Sequence, residues 1–303
     1  MQRLRRLWRM RGLRRMSVTS RAVPALGDLG IGWRREIAGV IDDLRPGFCE
    51  VIAESIPLRH RRARPDPALA GLVARGVPVI PHGVALSLGG TEPVQPKRVR
   101  RLAACARALG APVVSEHIAF VRAGGVEAGH LLPVPRTREA LDVLAANIER
   151  TRRELPAPLA LENIASFVEW PESDLTESEF LTELVERTGV LLVLDVANVY
   201  ANARNRGRDP LRELARLPVE QVAYSHVAGG REGEDFYHDT HTNRTPPEVL
   251  DLVTALRERA DTPFMLERDG RFPPAAELFD ELDAIAAAAG AAPITTGARE
   301  VWV

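Results

Sequence analysis

From about residue 28 onward the chain alternates short apolar runs with helical patterns, and the alternation repeats eight times. The runs are "DLGIGW", "FCEVIAES", "VPVIPHG", "APVVSEH", "PLALENI", "VLLVLDV", "QVAYSHV" and "TPFMLERD". Helical patterns follow most of them: through Val40 and Leu44, over 66–75, in "KRVRRLAACARALG" closed by Gly110, over 136–154 and 176–188, in "PLRELARL", over 246–259 and over 275–289. Strands that alternate with helices form parallel sheets, because a parallel connection needs a crossover. Eight such units predict a closed α/β barrel, the (β/α)8 TIM barrel. A doubly wound open sheet is the weaker alternative. It would carry a Gly-rich phosphate turn after its first strand, and "GDLGIGWR" has no GxGxxG.

Composition narrows the class. Of 303 residues, 45% are hydrophobic and 27% charged, enough apolar material for one barrel-sized core. The formal net charge of −1 gives no field that would draw in nucleic acid or an anionic membrane. Lys97 is the single lysine, an Arg preference that fits a GC-rich coding bias. Cys49 and Cys105 stand in an apolar run and a helical pattern, outside any CxxC, and read as two buried thiols of a reducing compartment. No stretch of 18 apolar residues is present, so no transmembrane segment is expected, and the expected location is cytoplasmic. Residues 1–20 are basic. "MQRLRRLWRMRGLRRM" holds seven Arg and no acid, lacks the apolar core of a signal peptide and reads as a disordered extension, with Met16 an alternative start. Residues 21–303 are expected to form a single TIM-barrel domain.

The strand ends carry the chemistry. "FCEVIAES" runs to Glu54, "VPVIPHG" to His82, "APVVSEH" to Glu116 and His117, and "PLALENI" to Glu162 and Asn163. "VLLVLDV" stops at Asp195 with Asn198 beyond it, "QVAYSHV" at His226, and "TPFMLERD" at Glu267 with Asp269 two further on. One polar residue where a strand meets solvent is ordinary. Seven such ends in a parallel barrel gather at one mouth. Carboxylates converging there repel and do not all ionise without a counter-charge, and the strand ends offer no Lys and few Arg. A bound metal supplies that charge. Mixed imidazole and carboxylate ligands suit iron, zinc or manganese better than calcium or magnesium. "DFYHDTHTN" adds Asp239 and His241, spaced so that an extended segment presents both to one ion; His238 beside them reads as solvent-exposed.

The blocks "HGVALSLGG", "SEHIAF", "LENIASF", "LDVANVYANARN", "SHVAGG", "DTH" and "LERD" occur in this order, with "LTESEF" between them. Together, from about Gly30 to Phe279, they resemble the multinuclear non-haem iron-dependent oxidative enzymes, the family of the methanobactin-synthesis oxidase. The resemblance implies a xylose-isomerase-like barrel holding two or three irons, mixed valence included, and oxidation of a ribosomally made precursor peptide by dioxygen, at cysteine, in natural-product biosynthesis. It also implies a small leader-binding partner protein. The ligands it implies are His82, Glu116, Glu162, Asp195, Asn198, His226, Asp239, His241 and Glu267. Of these, Glu116, Asp195 and His226 are the implied catalytic residues, with Glu116 bridging two irons; His117 and Asp269 are implied to orient ligands.

The chain departs from the family pattern at Ile52, where a His is usual two residues before Glu54, at Gly230, usually His, and at Ala197, usually Asn. Ile52 cannot bind metal, which leaves the number of irons open. Two other functions stay open: a sugar isomerase or epimerase using divalent metal, and a non-catalytic barrel that binds partners. A metal phosphodiesterase acting on abasic DNA is disfavoured by the balanced charge.

Overall fold

A computed structural model describes residues 26–302. The basic stretch 1–20 lies outside the described residues. Eight parallel strands close into a barrel: Leu29–Gly32, Phe48–Ile52, Val79–His82, Val114–His117, Leu159–Glu162, Leu191–Asp195, Val222–Val227 and Phe264–Leu266, each hydrogen-bonded to the next and the last to the first. These are the eight runs expected from the sequence, in chain order.

The helices of the outer ring follow their local signals. Pro96–Leu109 ends on Gly110 in the left-handed conformation (φ 59°), where glycine has no Cβ penalty. Glu177–Thr188 opens with a capping box between Thr176 and Glu179. Arg138–Arg152, Pro247–Arg257 and Ala275–Ala289 pack apolar faces against the barrel.

Three β-hairpins and two helices go beyond the alternation expected from sequence. The hairpins are Leu58–Arg59 with Arg62–Ala63, Ala119–Ala123 with Val126–Pro133, and Gly229–Glu232 with Tyr237–Asn243. All three follow strand C-termini, so they stand on the mouth side. The helix Val196–Asn205 begins directly at the end of a strand, and Val196–Ala203 are buried throughout. Its sequence looks like a polar loop because Asp195 serves two purposes at once: last strand residue and N-cap, accepting a bond from Asn198 N at 2.9 Å. The other is a short C-terminal helix, Thr296–Trp302.

The inside of the barrel is layered by the two-residue period of the strands. Phe48, Ile80, Val113, Ala160, Val193, Tyr224 and Met265 form one packed apolar layer. Two residues further along each strand stand Glu50, His82, Ser115, Glu162, Asp195, His226 and Glu267, all buried. A register shift in the pairing of the sixth and seventh strands sets Val193 beside Tyr224 and Asp195 beside His226, so the layers stay level. The first strand contributes Gly30 and Gly32. A Cβ at Gly30 would lie 2.8 Å from the Phe48 ring, so this strand adds no bulk to the interior. Seven side chains on an apolar floor thus present seven polar groups to the mouth.

Candidate metal centre

These groups form three linked clusters: His82, His117 and Glu162; Glu162, Asp195, His226 and Glu267; His241, Glu267 and Asp269. Within each, one N or O atom per residue lies within 4.8 Å of all the others. Glu162 belongs to the first two clusters and Glu267 to the last two.

In the first cluster His82 Nε2 is 3.3 Å from Glu162 Oε2 and 3.2 Å from His117 Nε2. His117 Nδ1 lies 3.1 Å from the carbonyl of Gly83, which can only accept, so this nitrogen holds a proton and in the neutral ring Nε2 carries the lone pair. In the second, His226 Nδ1 is 3.0 Å from Glu267 Oε2 and 3.4 Å from Glu162 Oε1. In the third, His241 Nδ1 is 3.1 Å from Glu267 Oε2, while its Nε2 is 2.9 Å from Asp239 Oδ2 and 3.3 Å from Asp195 Oδ2. His241 adopts φ 50°, a costly conformation for a non-glycine residue; it aims both ring nitrogens at carboxylates.

Close approach here does not amount to hydrogen bonding. Glu50 Oε1, Glu162 Oε2, Asp195 Oδ2, Asn198 Oδ1, His226 Nδ1, Asp239 Oδ1 and His241 Nε2 are all buried and have no hydrogen-bond partner. A buried polar atom left unpaired costs about 1–3 kcal/mol, and several converging on one space call for a shared cation. The donor set, imidazole nitrogen with carboxylate and amide oxygen, suits iron, manganese or zinc. The residues fit a polynuclear metal site.

Electrostatics agree with the crowding. Burial opposes ionisation of Glu162, but His226 and His117 hold it at about 2. Burial would lower His117, yet Glu162 and Glu116 raise it to about 9. Burial raises Asp195 to about 6, with His241 offsetting part of the effect. Despite burial, His226 and His241 are pushed well above the usual imidazole range by the carboxylates around them. Without metal, the cluster holds protons in the places a cation would take.

Of the expected ligands, His82, Glu162, Asp195, His226, His241 and Glu267 come together in the clusters, with Asp239 against His241. Asn198 lines the same cavity; its Nδ2 donates to Asn163 O at 2.9 Å and its Oδ1 is free. Glu116 does not join. Its Oε2 accepts from Leu86 N and its Oε1 from His117 N, both at 2.9 Å. The reason is parity: Glu116 pairs in register with Leu161, and His117 with Glu162, so Glu116 points out of the barrel and His117 points in. Glu54 lies on a 3-10 turn past its strand and accepts from Val84 N at 3.3 Å. His238 is half-buried against the Phe167 ring, with centroids 5.2 Å apart, so it is less exposed than expected.

Sequence reasoning missed Glu50 and Arg34. Glu50 lies in mid-run, where a search for strand ends does not look, although its even spacing from Phe48 gives it away. Arg34 follows the one strand lacking an acidic or imidazole end. It reaches Glu267 Oε1 at 3.2 Å and Asp269 Oδ1 at 2.5 Å.

The clusters open into a cavity of about 740 Å³. His82, His117, Glu162, Asp239, His241 and Glu267 lie at its base, beside Ile52. Its walls include Gly129–Pro133 and Ile164–Val168. Phe167 is 55% exposed and stacks edge-on with Phe236 at 5.5 Å. The base is polar and charged, the lip apolar.

Comparison with known proteins places this geometry. Thermus thermophilus endonuclease IV matches with a TM-score of 0.56 at 21% identity, over 86% of this chain and 98% of that one. A putative xylose isomerase from Rhodospirillum rubrum matches with a TM-score of 0.55 at 15% identity, over 88% and 100%. At these identities the likeness is one of fold. A UPF0276 protein of Streptomyces avermitilis is 50% identical over 279 residues, 88% of this chain; the chain spans 56% of that relative's length. A UPF0276 protein of Caulobacter vibrioides is 37% identical over 246 residues, 80% of this chain and 87% of the relative. Residues 28–290 match the family described as RiPP precursor modification enzyme MbnB/TglH/ChrH. Barrel, layered rim and sequence agree, and the chain belongs to this family of peptide-modifying enzymes.

Proposed function

We propose that the protein is a multinuclear non-haem iron oxidoreductase that uses dioxygen to modify a ribosomally made precursor peptide at cysteine. The observation that carries this reading is the run of three clusters joined through Glu162 and Glu267. Shared carboxylates hold metals close together, and mixed N/O ligation suits iron. In the first position His82, His117 and Glu162 would hold metal. In the second, Glu162, Asp195, His226 and Glu267 would do so. In the third, His241, Glu267 and Asp269 would, with Asp239 beside them and Asn198 Oδ1 lining the approach. The metal would supply thiolate binding and electron transfer to dioxygen.

The chain's own residues do the rest. Ile52 and the walls Gly129–Pro133 and Ile164–Val168 limit water around the reacting peptide. Phe167 and Phe236 give its apolar side chains a surface. Glu116 is left out of the metal set for the parity reason given above, and His117 takes its place. A leader-binding partner, implied by the family resemblance, and a cytoplasmic location, expected from the two unpaired buried thiols, remain part of the proposal.

The test is metal analysis of anaerobically purified protein, followed by oxygen uptake with a cysteine-containing peptide encoded beside the gene. Iron at two or more equivalents and peptide-dependent oxygen consumption are expected. Protein without iron, or turnover unaffected by removing oxygen, would overturn the proposal. Oxygen-independent turnover of a ketose with manganese would favour a sugar epimerase instead.

A further inference from the structure

Behind the clusters a buried polar chain links the inner nitrogens of two cluster histidines, His82 and His226, and its middle members Glu50, Tyr224 and Ser115 do not line the cavity. Glu50 Oε2 accepts from the Tyr224 hydroxyl and lies 3.1 Å from His226 Nε2. Tyr224 Oη is 2.8 Å from Ser115 Oγ, and Ser115 Oγ is 2.8 Å from His82 Nδ1. Glu50, Ser115, Tyr224 and His226 are fully buried and His82 is 2% exposed, so no solvent competes for these bonds.

The directions of the protons follow from the inventory of donors. An ionised carboxylate only accepts. Tyr224 has one proton, and it goes to Glu50. Ser115 then donates to Tyr224 Oη, or to Glu50 Oε2 at 3.4 Å; both are acceptors. In either case its lone pair faces His82, and His82 Nδ1 must be the protonated nitrogen. At the other end His226 Nε2 donates to Glu50 directly. In their neutral forms both imidazoles therefore turn a lone pair toward the mouth: His82 from Nε2 toward the first cluster, His226 from Nδ1 toward the second.

We propose that Glu50 is the positioning residue that fixes the ligating nitrogen of both His82 and His226, and so ties two adjacent metal positions to one carboxylate in the barrel floor. This rests on the reading of the mouth as a metal centre. Partners that orient a ligating histidine are worth about 10–100-fold in metal affinity. Here one residue acts on two histidines, directly on one and through Tyr224 and Ser115 on the other.

The experiment is an anaerobic titration of metal-free protein with iron(II), with Mössbauer spectra of the 57Fe-loaded samples and no peptide present. In Glu50→Gln the amide can donate toward Tyr224 and His226, and affinity is expected to fall about 10–100-fold at two positions, with changed signals for both irons. Tyr224→Phe leaves the branch to His82 only the long 3.4 Å contact of Ser115 with Glu50, so the iron held by His82 should weaken and change its signal while the other keeps it. Glu50→Gln with wild-type affinity and spectra would overturn the inference and leave the functional reading standing. Wild-type protein that takes up no iron would overturn both. If Glu50→Gln does not fold, as judged by thermal unfolding of the metal-free protein, Tyr224→Phe decides: an unchanged spectrum overturns the inference, and a change confined to one iron supports it.

Discussion

Arg34 lies 233 positions from Glu267 in sequence, yet its guanidinium sits 3.2 Å from Glu267 Oε1. The opposite oxygen of the same carboxylate faces His226 and His241. Arg34 thus neutralises the outer side of a group whose inner side is left for metal. Arg34→Ala should destabilise metal-free protein by roughly 3 kcal/mol, as expected when one partner of a buried pair is removed. Added manganese should recover part of that loss. Urea unfolding with chelator and with metal measures both effects.

The parity of the fourth strand separates two adjacent residues. His117→Ala should cost about one bound metal per chain, whereas Glu116→Gln should leave metal content unchanged and lower stability by about 1–2 kcal/mol through its lost amide bonds. Metal analysis of the two purified variants decides. Loss of metal in Glu116→Gln alone would reverse the assignment.

Protonation gives a pH signature. The folded-state pKa of His117 is raised from 6.5 to about 9, so its contribution is full below 6.5 and lost as pH rises through 9. Asp195 is raised from 3.8 to about 6, so its contribution is full below 3.8 and lost as pH rises through 6. Glu162 is depressed from 4.5 to about 2 and acts oppositely, its contribution present above 4.5 and lost as pH falls toward 2. Metal-free protein should therefore be most stable near pH 4 and weaken toward pH 9. Metal held as proposed would take ionised Asp195 and neutral His117, so the stabilisation by metal should grow over the same range. Thermal unfolding from pH 4 to 9, with and without metal, checks this.

Gly230 stands where the family resemblance leads one to expect His. A Cβ there would lie 2.3 Å from His238 O and 2.6 Å from the Tyr237 ring. Gly230→Ala should cost about 2 kcal/mol by overpacking and disturb the hairpin that carries Asp239 and His241. Weakened metal binding at the third cluster, with the first intact, is the expected result of an iron titration.

The apolar lip predicts a substrate effect without a stability effect. Phe167 is largely exposed, so Phe167→Ala should leave the unfolding midpoint nearly unchanged. If the lip receives the peptide, KM should rise roughly 10-fold, about 1.4 kcal/mol of lost contact, with kcat little affected. Steady-state kinetics with the peptide separates the two constants.

The barrel was legible because its strands and helices obey local rules that need no long-range information. The rim was legible where a carboxylate or imidazole ended an apolar run, as at His82, Glu162, Asp195, His226 and Glu267. The ends of runs alone do not tell which side chains face inward; the side-chain period does: Ser115 and His117 share the phase of Val113, and Glu116 does not. Glu50 was overlooked for the same reason. Arg34, and the buried ion pair of Arg268 with Glu281 that joins the last strand to the final long helix, depend on contacts that sequence periodicity does not encode. The helix after Asp195 was hidden because its cap is also a site residue.

Glu162 and Glu267 each belong to two clusters, and this bears on how occupancy relates to activity. If metals fill these clusters as proposed, a carboxylate engaged by one ion offers its neighbour a single remaining oxygen in a fixed direction, and the three positions do not fill independently. At one metal per chain the sample is a mixture of differently filled molecules, and the average metal content describes none of them. If the reaction needs adjacent filled positions, specific activity will rise more steeply than metal content as iron is added, and a preparation that looks half loaded will be far less than half active.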